Sequence, residues 1–171
     1  NLGIERTTIG DIKILGKSAY LFCLDSIAEY MAINQKGDCG VMAILFITLC
    51  RIAGIPAKWQ SGIDSEPNDI GEHDWAQFYV PSVGWLYCDP SFGRSCRLRN
   101  REEMWNFFFG NIDPFRIPLN CDMQYDFVPA KKYIRYDPVD NQAGEVEYDD
   151  GGYYGRNRVY TDLGIRLITE E

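Results

Sequence analysis

Residues 36–56 most constrain the fold of this chain, because they combine a turn, a long apolar helix and a helix stop. Asp38 suits the N-cap position, where its side-chain oxygen accepts a hydrogen bond from an unpaired amide of the first turn. Gly54 can adopt the left-handed conformation that closes a helix, and Pro56 cannot continue one. Between these signals almost every side chain is apolar, so the sequence predicts a helix that is buried on most sides.

Cys39 occupies the first position of this predicted helix. The helix dipole is positive at that end, which favours a thiolate over a thiol. Position alone therefore makes Cys39 a candidate nucleophile. A cysteine in an apolar helix is more often a core residue, so the catalytic interpretation depends on finding partners for it.

Length and charge exclude several classes of function. The 171 residues are enough for one domain with a sizeable core. The net charge of −8 argues against a nucleic-acid partner, because phosphate binding needs a basic surface. No apolar run is long enough to cross a bilayer. The chain starts at Asn1 without a signal-like segment, so we expect a processed chain or part of a longer protein.

The six cysteines do not indicate a metal site or a disulfide framework. None of them forms a CxxC pair, and His73 is the single histidine, so a zinc cluster of the usual spacing lacks ligands. We therefore expect neither a metal nor another cofactor. Cys23, Cys50 and Cys88 are interpreted as small core residues, which is the common environment of a free cysteine.

The hydrophobic pattern predicts a mixture of helices and strands. Apolar residues at helical spacing indicate an amphipathic helix over residues 18–33. Strands are predicted over 57–63, 73–80 and 85–89, and the last two are expected to form a hairpin. A β-like segment at 9–15, a basic segment at 94–101, a short aromatic helix over 102–109, and short strands with long loops in the last fifty residues complete the prediction.

The register of the predicted hairpin decides which side chains meet. Alternation places His73 on the same strand face as Trp75, with Ala76 on the opposite face. A four-residue loop would pair Ala76 with Asp89 and leave His73 and Asp89 on opposite faces. An odd-length loop or a bulge would pair Gln77 with Asp89 and bring His73 to the same face as Asp89, so the hairpin must contain the odd residue if the two work together.

Cys39, His73 and Asp89 together supply the groups that nucleophilic catalysis needs. A cysteine nucleophile needs a base, and the base needs an acceptor that orients it. His73 is the candidate base because no other histidine is present, and Asp89 ends the neighbouring strand. The backbone N–H of Cys39 would contribute to the oxyanion site. Each residue alone also has a structural explanation: a core thiol, a hydrogen-bonded histidine, or a turn before proline.

Three separated blocks resemble the core of the transglutaminase-like superfamily, in particular its bacterial branch. They are GDCG at 37–40, HDWA at 73–76 and GWLYCDP at 84–90, so the resemblance covers roughly residues 36–92. It implies an α+β, papain-like fold in which a buried helix carrying Cys39 packs against an antiparallel sheet carrying His73 and Asp89. It also implies that Cys39 is the nucleophile, His73 the base and then the acid, and Asp89 the orienting residue. Residues 93–171 would be a C-terminal extension of a single domain spanning 1–171.

We therefore expect a cysteine hydrolase or acyltransferase that acts on a peptide, protein or other amide through a thioester, with hydrolysis favoured over transamidation. The alternative is a non-catalytic binding or assembly module with the same fold. Trp75 is either a wall of the substrate site or an ordinary core aromatic. Gln35 is either an oxyanion donor or an exposed turn residue. Bacterial members of this type often carry export signals, which favours an extracellular or cell-envelope location.

Overall fold

The computed structural model describes residues 26–35, 37–67, 69–123, 125–133, 145–153, 163–166 and 168. The predicted β-like segment at 9–15, the first part of the predicted helix over 18–33, and Cys23 lie outside these residues. Within them the elements follow in the order α1 (Ile27–Asn34), α2 (Cys39–Ile52), β1 (Ala57–Asp64), β2 (Gly71–Val80), β3 (Gly84–Cys88), α3 (Pro90–Leu98), α4 (Glu102–Phe107), β4 (Phe109–Gly110), β5 (Arg116–Asn120), β6 (Val146–Tyr148) and β7 (Gly151–Tyr153).

The fold is α+β, as the sequence predicts. Five strands form an antiparallel sheet in the order β4-β3-β2-β1-β5, and β6 and β7 form a separate hairpin. The strand β5 follows four other strands in the chain, yet it pairs with β1 and forms one edge of the sheet. Residues that are distant in sequence are therefore neighbours in the sheet.

The helix α2 begins and ends where the local signals predict. The Asp38 side chain accepts a hydrogen bond from the Val41 backbone N–H at 3.1 Å, which satisfies one unpaired amide of the first turn. The helix ends at Ile52, and Gly54 follows with a φ of +77°, a conformation that glycine adopts without strain. Both parts of this prediction are confirmed.

The core lies between α2 and one face of the sheet. Apolar side chains of α2 pack against Trp59 of β1 and against Ala76 and Phe78 of β2. Cys50 and Cys88 are buried in this cluster, as expected for small core residues. The helix packs on this face because alternation along β2 places its small and apolar residues there.

The hairpin between β2 and β3 has the odd-length loop that the sequence analysis required. Val80 pairs with Gly84, which leaves the three residues 81–83 in the loop, with Ser82 at a φ of +66°. The same register pairs Ala76 with Cys88 and Gln77 with Tyr87, so the predicted pairing of Gln77 with Asp89 is wrong, because the loop is one residue shorter than the four-residue loop and not one longer. Asp89 still follows on the face that carries His73 and Trp75.

The strands β1, β2 and β3 differ from their predicted bounds by one or two residues, and two further differences concern α3 and α4. The strand β3 ends at Cys88, and Asp89 is instead the N-cap of α3, whose nine residues include most of the segment predicted only as basic. The signal for this helix was present, because an aspartate followed by Pro90 is a typical helix start. The aromatic helix α4 ends at Phe107, since Phe109 already pairs in β4.

No helix in the described ranges has the length and hydropathy to span a membrane.

Candidate active site

The structure brings His73 and Asp89 together. The Nε2 atom of His73 lies 2.7 Å from Oδ2 of Asp89, and both side chains are buried. His73 is on β2 and Asp89 is just beyond the end of β3, so the odd-length loop of the hairpin produces this contact. A carboxylate on one ring nitrogen fixes the tautomer and the orientation of the imidazole.

The other carboxylate oxygen of Asp89 is held by the start of α3. Oδ1 accepts hydrogen bonds from the backbone N–H groups of Ser91 at 3.1 Å and Phe92 at 2.9 Å, and from the Ser91 hydroxyl at 2.9 Å. Burial alone would raise the pKa of Asp89. The hydrogen bond and charge of His73, the Phe92 amide and the Arg116 charge outweigh burial and lower that pKa below its ordinary value.

Arg116 is a component of the site that sequence reasoning missed. Its Nη2 atom lies 3.2 Å from Oδ2 of Asp89 and 2.9 Å from Oδ2 of Asp113, and its Nη1 atom lies 3.5 Å from Oδ2 of Asp64. The Arg116 side chain is 3% exposed and lies over the ring of Phe92. No local pattern marks this residue, because its contacts depend on the pairing of β5 with β1.

Trp75 lies beneath His73 and is fully buried. Its Nε1 atom donates to Oε1 of Gln60 at 2.7 Å, and its ring stacks on the imidazole with centroids 6.2 Å apart. A side chain with no exposed surface is a packing element, so the burial favours the core-aromatic interpretation over a wall that contacts substrate.

The sulfur of Cys39 is located on the other face of β2. It lies 3.4 Å from Oδ2 of Asp74, which is the hydrogen-bond partner that the structure gives it. Strand alternation places Asp74 and His73 on opposite faces, and α2 packs on the Asp74 face. The predicted packing of the buried helix on this sheet is confirmed, and the apolar helix lies on the apolar face of β2. The structure thus brings two of the three predicted catalytic residues, His73 and Asp89, into contact, and it places the Cys39 sulfur against Asp74, the residue that follows His73.

The surroundings of Cys39 oppose the thiolate that its position predicts. Burial raises the pKa of the Cys39 thiol well above its ordinary value, and the charges of Asp74 and Asp38 raise it further. The backbone N–H of Asp74 acts in the opposite direction. The helix dipole contributes only about half an elementary charge, so burial and two full negative charges outweigh it.

Gln35 has the features of a turn residue. It is exposed, it follows α1 with a φ of +54°, and its backbone N–H bonds the Met31 carbonyl. This favours the turn interpretation over an oxyanion donor. In the part of the chain that the structure describes, no three His, Cys, Asp or Glu side chains are grouped to hold a metal ion, and each of the described cysteines is free.

Comparison with known proteins gives a family match and distant relatives. Residues 10–90 match the family model of the transglutaminase-like superfamily. The uncharacterized protein YebA of Bacillus subtilis (strain 168) is 26% identical over 83 residues, which cover 40% of this chain and 11% of YebA. An uncharacterized protein of Haemophilus influenzae is 24% identical over 136 residues, covering 62% of this chain and 36% of that protein.

One solved structure is also similar to part of the chain. The crystal structure of the periplasmic domain of TgpA from Pseudomonas aeruginosa matches 47% of this chain and 31% of that chain, with 22% identity and a TM-score of 0.36. The chain spans well under two thirds of the length of each of the two sequence relatives and of this structure.

Proposed function

We propose that this chain, whose residues 10–90 belong to the transglutaminase-like superfamily, is a cysteine-dependent acyl-transfer enzyme that acts on an amide bond. Cys39 is the nucleophile, His73 the base and then the acid, and Asp89 the residue that orients His73. The observation that carries the proposal is the buried 2.7 Å bond between His73 and Asp89, two residues that the sequence analysis named as partners. Water is the proposed acceptor, in preference to a second amine.

The proposal requires the Cys39 sulfur to turn towards the imidazole. The sulfur lies near the backbone N–H of Asp74, which belongs to the peptide bond linking Asp74 to His73. Rotation about the Cα–Cβ bond of Cys39 would release the sulfur from the Asp74 carboxylate, and the proposal requires that this rotation brings it to the imidazole. Nε2 of His73 is bonded to Asp89, so Nδ1 is the ring atom that would take the thiol proton.

The reaction then follows the usual course of cysteine acyl transfer. The thiolate attacks the amide carbon, and the backbone N–H of Cys39 at the start of α2 stabilises the oxyanion. As the C–N bond breaks, His73 gives its proton to the leaving amine, which leaves a thioester on Cys39. Water attacks the thioester while His73 takes a proton from it. The carboxylic acid product leaves, and His73 returns that proton to the Cys39 sulfur.

A non-catalytic binding or assembly module is the second candidate function. It is favoured by the 3.4 Å contact between the Cys39 sulfur and Asp74, together with the raised pKa of this thiol. In a module of this kind the sulfur stays in its observed position and the buried bond between His73 and Asp89 serves stability alone.

A screen of peptides and small amides tests the two candidates. The wild type, Cys39→Ala and the matched control Cys96→Ala, which removes a half-buried thiol on α3, are compared with and without an added primary amine. The enzyme proposal predicts release of amine by the wild type and the control but not by Cys39→Ala. If the added amine is found in the product, the reaction is transamidation and not hydrolysis.

The enzyme proposal fails if Cys39→Ala keeps the full amidase activity of the wild type. It also fails if no substrate is turned over and Cys39 is alkylated no faster than a free thiol at neutral pH. The second result would identify the chain as a module.

A further inference from the structure

Arg116 and His73 bind the same oxygen atom. Oδ2 of Asp89 lies 2.7 Å from Nε2 of His73 and 3.2 Å from Nη2 of Arg116. All three side chains are nearly or completely buried, so solvent screens this arrangement weakly. Arg116 is itself fixed, because Nε and Nη2 both donate to Oδ2 of Asp113, at 3.0 and 2.9 Å.

We propose that Arg116 is a positioning residue that acts on His73 through Asp89, by sharing the carboxylate oxygen on which a protonated imidazole depends. This inference rests on the proposed function for its catalytic meaning. A fixed guanidinium draws part of the negative charge of Asp89 towards itself, so less of that charge is left to stabilise an imidazolium. Arg116 therefore keeps the His73 ring neutral over a wider pH range and makes its imidazolium a stronger acid.

The orientation of Asp89 does not require Arg116. Oδ1 is already held by three donors at the start of α3, from Ser91 and Phe92. A guanidinium that served only to hold the carboxylate in place would be redundant with this cap. Its distinct effect is electrostatic, and it is exerted on the one oxygen that also binds His73.

The charged and titratable groups around this pair come from several elements. They are Asp89 at the start of α3, Asp64 at the end of β1, Asp113 before β5, Asp74 on β2 and the Cys39 thiol on α2. Three of these carboxylates contact Arg116 directly. Removing the guanidinium charge therefore leaves an excess of negative charge beside His73, and this excess favours the protonated ring.

In the reaction this arrangement favours the step in which His73 gives up its proton. A less stable imidazolium is a stronger acid towards the leaving amine, and the ring stays neutral, and so able to accept a proton, over a wider pH range, while each neutral ring is a weaker base. The carboxylate of Asp89 still orients the ring through its 2.7 Å bond.

The test uses the fact that His73 is the only histidine of the chain. In the Cys39→Ala background, the imidazole signal is followed by proton NMR from pH 4 to pH 10 in the full 171-residue chain. Arg116→Gln is expected to move the midpoint of this titration upward by about one pH unit, which is a roughly tenfold change in the protonation equilibrium. The matched control, Arg97→Gln, removes an exposed arginine charge from α3 and is expected to leave the midpoint unchanged.

A second background shows whether the effect passes through Asp89. When Asp89→Asn is present, Arg116→Gln is expected to change the midpoint by much less than in its absence. If Arg116→Gln does not fold, as judged by circular dichroism, Arg116→Lys carries the test. A single ammonium cannot serve Asp89 and Asp113 as the guanidinium does, so a smaller upward movement is expected.

The inference is overturned if the folded Arg116 variants titrate like the Arg97 control, or if the same shift persists with Asp89→Asn. The readout needs no enzymatic activity. A protein without amidase activity would end the proposed function while leaving this result readable, so the two failures are distinguishable.

Discussion

The two faces of β2 place their polar residues in different electrostatic surroundings. On one face the His73–Asp89 pair is buried with Arg116, and both His73 and the Arg116 guanidinium contact the Asp89 carboxylate. On the other face Asp74 contacts the Cys39 thiol, and the charge of Asp38 acts on the same sulfur. The first arrangement lowers the pKa of Asp89, and the second raises the pKa of the thiol.

The orientation of the proposed base is therefore fixed in the structure, while the surroundings of the proposed nucleophile disfavour its thiolate. The geometry of His73 comes from a hairpin register and a helix cap, which are both features of rigid backbone. The position of the Cys39 sulfur depends on one side-chain torsion. Variants that change one face and spare the other can therefore test whether the two faces cooperate.

The largest effect is expected from removing the charge of Asp89. Asp89→Asn should lower turnover by about 10³–10⁴-fold, because the imidazolium loses its counter-charge and the ring its fixed tautomer. Asparagine is as good an N-cap as aspartate, so α3 should persist. Turnover of a cleaved amide and circular dichroism are measured on the same samples.

Asp89→Ala serves as the comparison, since it removes the cap of α3 as well as the charge. We expect it to lose stability in addition to turnover, because it also leaves the buried Arg116 without one of its carboxylates. An unchanged rate in Asp89→Asn would remove Asp89 from the catalytic machinery.

A smaller effect on the His73 face is expected from displacing β5. A Cβ atom at Gly62 would collide with the backbone carbonyl oxygen of Ile117, where β1 pairs with β5. Gly62→Ala should destabilise the fold by about 1–3 kcal/mol and loosen the Arg116 contacts. Gly71→Ala is the control, since a Cβ there meets nothing within 4 Å. Urea denaturation compares both with the wild type, and equal midpoints would contradict the tight β1–β5 contact.

The smallest effect is expected on the Cys39 face. The Asp74 charge raises the pKa of the Cys39 thiol, and a thiol reacts as its thiolate at pH values approaching and above that pKa. Asp74→Asn removes the charge, so the rate of alkylation of Cys39 by iodoacetamide should begin to rise at a lower pH. At a fixed pH below the transition, we expect an increase of about tenfold.

Glu72→Gln provides the matched control for this measurement. It removes a carboxylate from an exposed position of the same strand and should leave the profile unchanged. A profile that does not move in Asp74→Asn would mean that the sulfur does not occupy the observed position in solution.

Local signals in the sequence predicted the elements that carry the site. The start and stop of α2 follow from Asp38, Gly54 and Pro56, because capping and left-handed conformations depend on neighbouring residues. The missed helix α3 belongs to the same class, since its Asp-Pro start was readable. The hairpin was predicted only in part. Alternation indicated that an odd-length loop was needed to bring His73 and Asp89 together, and only the structure shows, through the pairing of Val80 with Gly84, that the loop is odd.

By itself, the sequence determined the α+β composition, the buried helix with Cys39 at its start, and the pairing of His73 with Asp89 once the loop is odd. Only the tertiary structure decided that α2 packs on the Asp74 face, and that Arg116 reaches Asp89 from a strand at the far edge of the sheet. The physical reason is that caps and alternation act over a few residues. Contacts between a sheet face and distant segments depend instead on how the whole chain divides its apolar and charged surface between the two faces.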